Sequence, residues 1–187
     1  MLNGKKVAIL VAEGFEQVEM TEPKRALEEA GAQTRIVSPD QGTVQGWKHF
    51  EKADRFKVDV WFDQADAEDF DALLLPGGVA NPDQLRVKPK AVQFVKAFVD
   101  SGKPIAVICH GPWTLLEAGA VQGLTITSWP SLATDLKNAG ANWVDRDVVV
   151  DRGIVSSRKP DDLPAFNRKM IEEFTEGEHA RASSARV

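Results

Sequence analysis

Three short, almost wholly apolar runs, each followed by a loop that contains glycine, constrain the fold of this chain most. They are Lys5–Val11, Ala72–Leu75 and Ile105–Cys109. Apolar residues at successive positions predict strands buried on both faces, as in parallel sheets covered by helices. Segments with apolar residues at helical spacing alternate with strands, and they cover Glu16–Ala30, Pro89–Asp100, Pro112–Ala118, Leu132–Ala139 and Asp161–Phe174. The sequence therefore predicts an α/β fold, with a mostly parallel central sheet between two layers of helices.

Three further strands complete the predicted sheet. Thr34–Val37 is short and apolar, and Val148–Val150 and Ile154–Ser156 flank a turn sequence that predicts a hairpin. Between residues 42 and 62, apolar and polar residues alternate from Phe56 to Phe62, which predicts one half-exposed strand.

Length, charge and cysteine content limit the class of protein. The 187 residues fit one domain over residues 1–174, followed by a polar tail over residues 175–187 that we expect to be flexible. The net charge of −5, with no basic stripe, argues against specific nucleic-acid binding and against an anionic membrane surface. No apolar run is long enough for a transmembrane helix. A single cysteine excludes an intramolecular disulfide and suits the reducing cytoplasm.

The strongest chemical candidate is Cys109, which closes a buried strand just before a predicted helix. A helix N-terminus favours an anion, so this position predicts a lowered thiol pKa and a reactive thiolate. Gly111 permits a tight strand-to-helix turn, and the neighbouring His110 offers a base. The alternative is that Cys109 is a small core residue, as buried cysteines often are.

Two other loops follow strands that end at the same predicted sheet edge. Glu13, Glu16 and Glu19 lie three residues apart at a helix start, where they either offset the helix dipole or place one carboxyl beside Cys109. Gly77 and Gly78 form either a plain turn or a loop whose amides stabilise an oxyanion.

The remaining polar and aromatic candidates are less specific. Asp83 has no assignable role from its neighbours alone, and Trp113 is a candidate for lining a pocket. The three histidines, His49, His110 and His179, are scattered, and no phosphate-loop or dinucleotide motif is present. The sequence therefore indicates neither a metal site nor a cofactor.

Taken in order, several segments resemble the PfpI family, within the superfamily of the parkinsonism-associated protein deglycase. They are Gly-Phe-Glu-Gln-Val-Glu, Leu-Leu-Leu-Pro-Gly-Gly, Ala-Val-Ile-Cys-His-Gly-Pro-Trp, Thr-Ser-Trp-Pro-Ser-Leu-Ala-Thr-Asp-Leu-Lys-Asn-Ala-Gly-Ala-Asn-Trp-Val-Asp and Ser-Ser-Arg-Lys-Pro-Asp-Asp-Leu-Pro-Ala-Phe. The similarity runs from about residue 3 to 174. It implies a flavodoxin-like, class I glutamine amidotransferase-like three-layer sandwich.

The resemblance also implies roles for individual residues. Cys109 matches the family nucleophile, His110 the adjacent histidine, and Glu19 the acid that contacts the sulfur. Glu16 matches a second acid, and Gly77 and Gly78 match the loop whose amides face the thiol. Asp83 matches an acid that completes a Cys-His-acid set across a subunit interface, which implies at least a homodimer. The loop from Val79 to Pro82 differs in length from that of some relatives, so Asp83 is the least secure of these matches.

The activity that the resemblance implies is cysteine-dependent and linked to stress. The leading interpretation is a deglycase or glyoxalase-like enzyme acting on small reactive carbonyls or their early protein or nucleotide adducts. The first alternative is an intracellular cysteine peptidase. The second is a redox-sensing stress protein in which Cys109 is oxidised and catalyses nothing, and the third is an inactive structural relative.

Overall fold

The computed structural model describes residues 1–178, and its centre is a seven-stranded sheet. Six strands run parallel, and the seventh pairs antiparallel at one edge. In chain order the strands are β1 (Lys6–Leu10), β2 (Phe15–Glu16), β3 (Gln33–Ser38), β4 (Thr43–Lys48), β5 (Glu51–Lys57), β6 (Val60–Trp61), β7 (Ala72–Leu75), β8 (Ile105–Ile108), β9 (Thr125–Ile126), β10 (Asn142–Trp143), β11 (Val148–Asp151) and β12 (Ile154–Ser157). The central sheet has the order β11-β12-β8-β7-β1-β3-β6.

Helices cover both faces of this sheet. Within the described residues they are α1 (Gln17–Glu29), α2 (Ala80–Arg86), α3 (Pro89–Ser101), α4 (Pro112–Glu117), α5 (Ala133–Asn138) and α6 (Leu163–Glu176). One core lies between the sheet and α1 with α6, and the other lies between the sheet and α2 to α5. The predicted three-layer α/β architecture is confirmed.

The apolar runs are explained by this double coverage. In β1, Val7 and Ile9 point into the core under α1 and α6, whereas Ala8 and Leu10 point into the opposite core. Because successive side chains of a strand alternate between faces, a strand covered on both sides needs apolar residues at every position.

The region from residue 42 to 62 differs from the single strand that the alternation predicts. Strands β4 and β5 form an antiparallel hairpin, which joins β2 in a separate three-stranded sheet. The chain then leaves this sheet at Val58, and β6 extends the edge of the central sheet. The alternation therefore spans two strands of different sheets, since buried Val58 lies in the connection between them.

Two further differences concern helix boundaries. Helix α2 occupies the polar segment around Asp83 for which the sequence predicts no element. Helix α6 continues through Glu176, so it extends two residues into the segment that the sequence assigns to the tail. Thr175 donates a hydrogen bond to the carbonyl of Ile171, as expected inside a helix. Gly177 and Glu178 follow outside the helix, and the predicted tail from residue 179 lies outside the described residues.

None of the helices in the described part of the chain combines the length and apolarity needed to cross a membrane.

Candidate active site

The three loops singled out from the sequence meet at one end of the central sheet. Strands β1, β7 and β8 are neighbours and run parallel, so their carboxyl ends lie together at this edge. A cavity of about 590 Å³ opens there, lined from the three loops by residues that include Glu16, Gly78 and Cys109. The predicted meeting of the three loops is confirmed.

Cys109 lies just beyond β8, in a strained turn. Its φ of +62° lies in the left-handed region, which a residue with a Cβ rarely adopts. Two backbone hydrogen bonds hold it there: its N–H donates to Ser157, and its carbonyl accepts from the N–H of Trp129. The side chain is 7% exposed and lines the cavity. Cys109 is therefore at a strand-to-helix elbow, not at the last position of the strand.

The glycines around the sulfur are required by close packing. A Cβ at Gly77 would lie 2.5 Å from Glu19 Oε2 and 2.6 Å from the Cβ of Cys109. A Cβ at Gly111 would lie 2.7 Å from the carbonyl oxygen of Leu75. Gly78 has a φ of +76° and also has no room for a side chain. These positions accept only glycine because real Cβ atoms do not approach other atoms so closely.

His110 is buried beside Cys109 and also lines the cavity. Its Nδ1 is 3.2 Å from Cys109 Sγ, and its Nε2 is 3.4 Å from Ser131 Oγ. Trp113 contacts the ring edge-on, and Trp129 stacks on it. Burial lowers the pKa of His110, so the imidazole is neutral at pH 7. When Nε2 carries the proton toward Ser131, Nδ1 is an acceptor for the thiol proton.

Glu19 lies fully buried beside the sulfur. Its Oε2 accepts a hydrogen bond of 2.9 Å from the N–H of Gly77. Burial, with a smaller contribution from the charge of Glu16, raises the pKa of Glu19 to about 8. Glu19 is therefore protonated at neutral pH, as expected for a carboxyl placed beside Cys109.

The pKa of the Cys109 thiol is raised, and the expectation of a lowered pKa is wrong. Burial is the main cause, and the charge that Glu19 acquires at high pH adds to it. Backbone N–H groups of Gly78 and His110 act in the opposite direction but do not outweigh burial. Helix α4 begins at Pro112, three positions after Cys109, so the sulfur does not lie in its first turn.

A buried asparagine that the sequence analysis missed holds two of the loops together. Asn81 Oδ1 accepts a hydrogen bond from the N–H of Ala12, and its Nδ2 donates to the carbonyls of Pro76 and Gly77. It engages the carbonyl side of the glycine loop, which leaves the N–H groups of that loop facing Glu19 and Cys109. A polar residue four positions after the first loop glycine is a weak signal that could have indicated this role.

The sequence pattern of the DJ-1/PfpI family matches residues 5–173. This chain belongs to the DJ-1/PfpI family. Its similarity to individual members extends over most of both chains. It is 46% identical over 167 residues to a Bacillus subtilis protein named as a candidate cysteine protease, which covers 89% of this chain and 96% of that protein.

Two other family members are nearly as similar. General stress protein 18 of Bacillus subtilis is 44% identical, with 90% of this chain and 96% of that protein covered. A deglycase of Pyrococcus horikoshii is 45% identical, with 89% and 97% covered. Among solved structures, a two-domain Anabaena variabilis protein with DJ-1/ThiJ/PfpI-like and ferritin-like domains superposes with a TM-score of 0.84 at 32% identity. That match covers 91% of this chain and 48% of the other.

Of the remaining candidate residues, Glu16 lines the cavity, whereas Asp83 and Trp113 do not. Asp83 lies in the first turn of α2, is exposed and does not line the cavity, so its predicted role across a subunit interface stays a prediction. Trp113 packs behind His110, is not among the residues that line the cavity, and donates its indole N–H to Asp135. Glu16 lines the cavity and accepts a hydrogen bond from the N–H of His49.

Several residues at the cavity mouth were not selected from the sequence. They come from the β4–β5 hairpin and from the segments after β9 and β12, and they are Trp47, His49, Phe50, Trp129 and Pro160. The aromatic residues among them are scattered along the chain, so their spacing carries no signal. Among the described residues, no group of three or more His, Cys, Asp or Glu side chains is placed to hold a metal ion.

Proposed function

We propose that this protein is a stress-protective, cysteine-dependent enzyme that acts on small reactive carbonyls or on their early adducts with proteins or nucleotides. The observation that carries the proposal is the contact between Cys109 Sγ and His110 Nδ1, 3.2 Å apart at a strained elbow in a mainly apolar cavity. Relatives named as deglycases and as a general stress protein support the same class of activity.

The proposed reaction begins with a neutral thiol. Cys109 Sγ forms a bond to the electrophilic carbonyl carbon as the thiol proton passes to His110 Nδ1, which burial keeps neutral and able to accept it. The carbonyl electron pair moves to oxygen. The N–H groups of Gly78 and His110 face the sulfur, and we assign to them the stabilisation of the negative charge that develops beside it. The same proton then returns to that oxygen, which gives a hemithioacetal. With an α-dicarbonyl, the hydrogen on this carbon then moves to the neighbouring carbonyl carbon, which gives a thioester, and water hydrolyses the thioester to a hydroxy acid and the free thiol. Protonated Glu19 keeps a second negative charge away from the sulfur.

The cavity favours small carbonyls and their adducts over extended peptides. A volume of about 590 Å³ lies within the range of cavities that enclose a drug-sized ligand. It therefore has room for a dicarbonyl and for part of an adduct, but the elbow and the glycine loop close its base. A cysteine peptidase is the alternative, and the name of the Bacillus subtilis relative supports it.

The test is sustained turnover of methylglyoxal. We expect many equivalents to be consumed per protein, with activity abolished in Cys109→Ser and reduced in Glu19→Gln. Consumption that stops after one equivalent of thiol would show simple trapping and contradict the proposal. Cleavage of a denatured protein that depends on Cys109 would favour the peptidase, whereas cleavage that survives Cys109→Ser would indicate a contaminating protease.

One observation favours a second function, redox sensing. Glu19 is protonated and lies beside the sulfur, so it can donate a hydrogen bond to a Cys109 sulfinate. A mass gain of two oxygens confined to Cys109 under mild peroxide, without turnover of methylglyoxal, would favour this function.

We also propose that the protein is a cytoplasmic homodimer whose sites lie near the subunit interface. Phe50, Val79 and Trp129 are exposed apolar residues that all line the cavity mouth, and they form a patch that a second copy would cover. Nε2 of His110 faces the exposed Ser131, so Asp83 of a second copy would approach from this side. The single free cysteine suits the reducing cytoplasm.

A further inference from the structure

The tip of the β4–β5 hairpin carries a strained residue that the proposed reaction does not use. Two residues, His49 and Phe50, join the strands, and His49 has a φ of +57°. A positive φ at the first residue of a two-residue loop, and not at the second, indicates a type II′ turn, in which glycine usually occupies the first position. A histidine there strains the backbone without any benefit to the turn itself.

A buried acid holds this strained residue in place. Glu16 Oε2 accepts a hydrogen bond of 3.0 Å from the backbone N–H of His49, and Glu16 is itself buried at the start of α1. Because the donor is the backbone, this bond fixes the hairpin tip against the cavity whichever side chain residue 49 carries. The contact therefore accounts for the position of the tip but does not account for the imidazole.

His49 lies at the boundary between two adjoining cavities. The cavity that Cys109 lines, here called the reactive cavity, adjoins a second cavity of about 660 Å³. The two share four lining residues, which are Glu16, His49, Trp129 and Pro160. The reactive cavity is mostly apolar, whereas the second contains polar and charged residues such as Lys48 and Lys159. His49 thus lies where the cavity around the sulfur meets a second cavity that carries more charged side chains.

Both ring nitrogens of His110, the other histidine that lines the cavity, already have contacts within the protein. Nδ1 of His110 faces Cys109 Sγ and its Nε2 faces Ser131 Oγ, so neither nitrogen is available to a substrate without breaking these contacts. A neutral imidazole donates through one nitrogen and accepts through the other. His49 can therefore bind either a carbonyl or a hydroxyl oxygen.

We propose that His49 is a substrate-binding residue, whose imidazole hydrogen-bonds the oxygen on the carbon next to the reacting carbonyl. The inference rests on the proposed function, because it requires a carbonyl substrate over Cys109. α-Dicarbonyls and hydroxylated adducts carry such an oxygen, whereas simple aldehydes do not. His49 then selects compounds oxygenated at both carbons, and Glu16 positions it.

The test uses two substitutions that suit the backbone but remove the imidazole. Glycine and asparagine both tolerate a positive φ, so His49→Gly and His49→Asn keep the turn and the N–H bond to Glu16. The first measurement is the methylglyoxal concentration that half-protects Cys109 from iodoacetamide, and the second is the KM for turnover. We expect both to rise about tenfold, the loss of one substrate hydrogen bond, while kcat changes less than threefold.

Stability and intrinsic thiol reactivity provide the controls. Both variants should melt at the same temperature as the unmodified protein or higher, and their alkylation without methylglyoxal should be unchanged. Arg152→Gly is the matched control, since Arg152 also has a positive φ, of +48°, in a hairpin loop and does not line either cavity. It should keep the original KM and half-protecting concentration.

The outcomes separate this inference from the proposed function. Values within twofold of the original in both variants would overturn the role of His49, and so would a lower melting temperature in both. If methylglyoxal protects Cys109 but is not turned over, the proposed function fails, and the protection assay still decides the role of His49. If it does not protect Cys109 in the original protein, both fail.

Discussion

At the scale of single residues, the site is governed by how burial acts on three neighbouring groups. It raises the pKa values of Glu19 and Cys109 and lowers that of His110. Each shift favours the neutral form, because charge is poorly solvated inside the protein. The three groups of the free site are therefore uncharged at pH 7. In the proposed reaction, a thiolate forms only as the thiol proton moves to His110.

The raised pKa of Glu19 makes stability depend on pH in a predictable direction. The unfolded chain loses the Glu19 proton near its ordinary value of 4.5, whereas the folded protein keeps it to about 8. Stability therefore falls as pH rises between these values, because the folded state binds the extra proton. Glu19→Gln should remove this loss. In urea unfolding, the stability of the variant relative to the original protein should therefore rise by about 1.4 kcal/mol per pH unit.

The control for this prediction is Glu29→Gln, which alters an exposed carboxyl on the same helix. Its stability relative to the original protein should not change between pH 5 and pH 8. A stability difference for Glu19→Gln that stays constant over this range would contradict the raised pKa.

The same substitution should make the thiol more reactive in alkaline solution. At pH 9 Glu19 is ionised, and its negative charge raises the pKa of Cys109 further. Glu19→Gln removes that charge, so iodoacetamide should alkylate Cys109 several-fold faster at pH 9 than in the original protein. Glu29→Gln should leave the rate unchanged, and a slower reaction in Glu19→Gln would show that the acid assists ionisation.

At the scale of elements, the sequence predicts the parts that are buried on both faces and misses the parts that depend on distant contacts. Strands β1, β7 and β8 are predicted well because double coverage requires an unbroken apolar run. The β4–β5 hairpin is missed because β5 exposes most of its residues, and α2 because Leu85 is the one large apolar residue in its seven. The site follows the same rule: its loops are predictable, but the depth of Cys109, and so the sign of its pKa shift, is not.

The Asn81 side chain connects helix α2 to the loops that follow strands β1 and β7. Asn81→Ala would leave the N–H of Ala12 and the carbonyls of Pro76 and Gly77 without their side-chain partner in the interior. We expect a loss of about 3 kcal/mol or more in the free energy of unfolding, measured in urea. Asn138→Ala, at an exposed position in α5, should change it by less than about 0.5 kcal/mol. A loss below about 1 kcal/mol for Asn81→Ala would mean that water replaces its contacts.

At the scale of the whole molecule, the single chain leaves the reactive cavity only partly enclosed. Phe50 is 94% exposed at its mouth, and the elbow, the glycine loop and the hairpin close only its base and one side. With exposed Val79 and Trp129, Phe50 forms an apolar patch at the cavity mouth, and such patches are typical of surfaces that another molecule covers. A symmetric dimer would pair the same patch on both copies, and each copy could then offer an acid to the other's site.

Mixing two defective variants tests whether Asp83 acts across such an interface. Cys109→Ser lacks the nucleophile, and Asp83→Asn lacks the acid, so each alone should have little activity. After subunit exchange in an equal mixture, about half of the dimers contain one copy of each. Such a dimer has one site with both Cys109 and Asp83, because the two groups come from different chains. The mixture should therefore recover about a quarter of the original turnover. Full activity of Asp83→Asn alone would show that the acid has no such role, and no recovery on mixing would place it in the same chain as its cysteine.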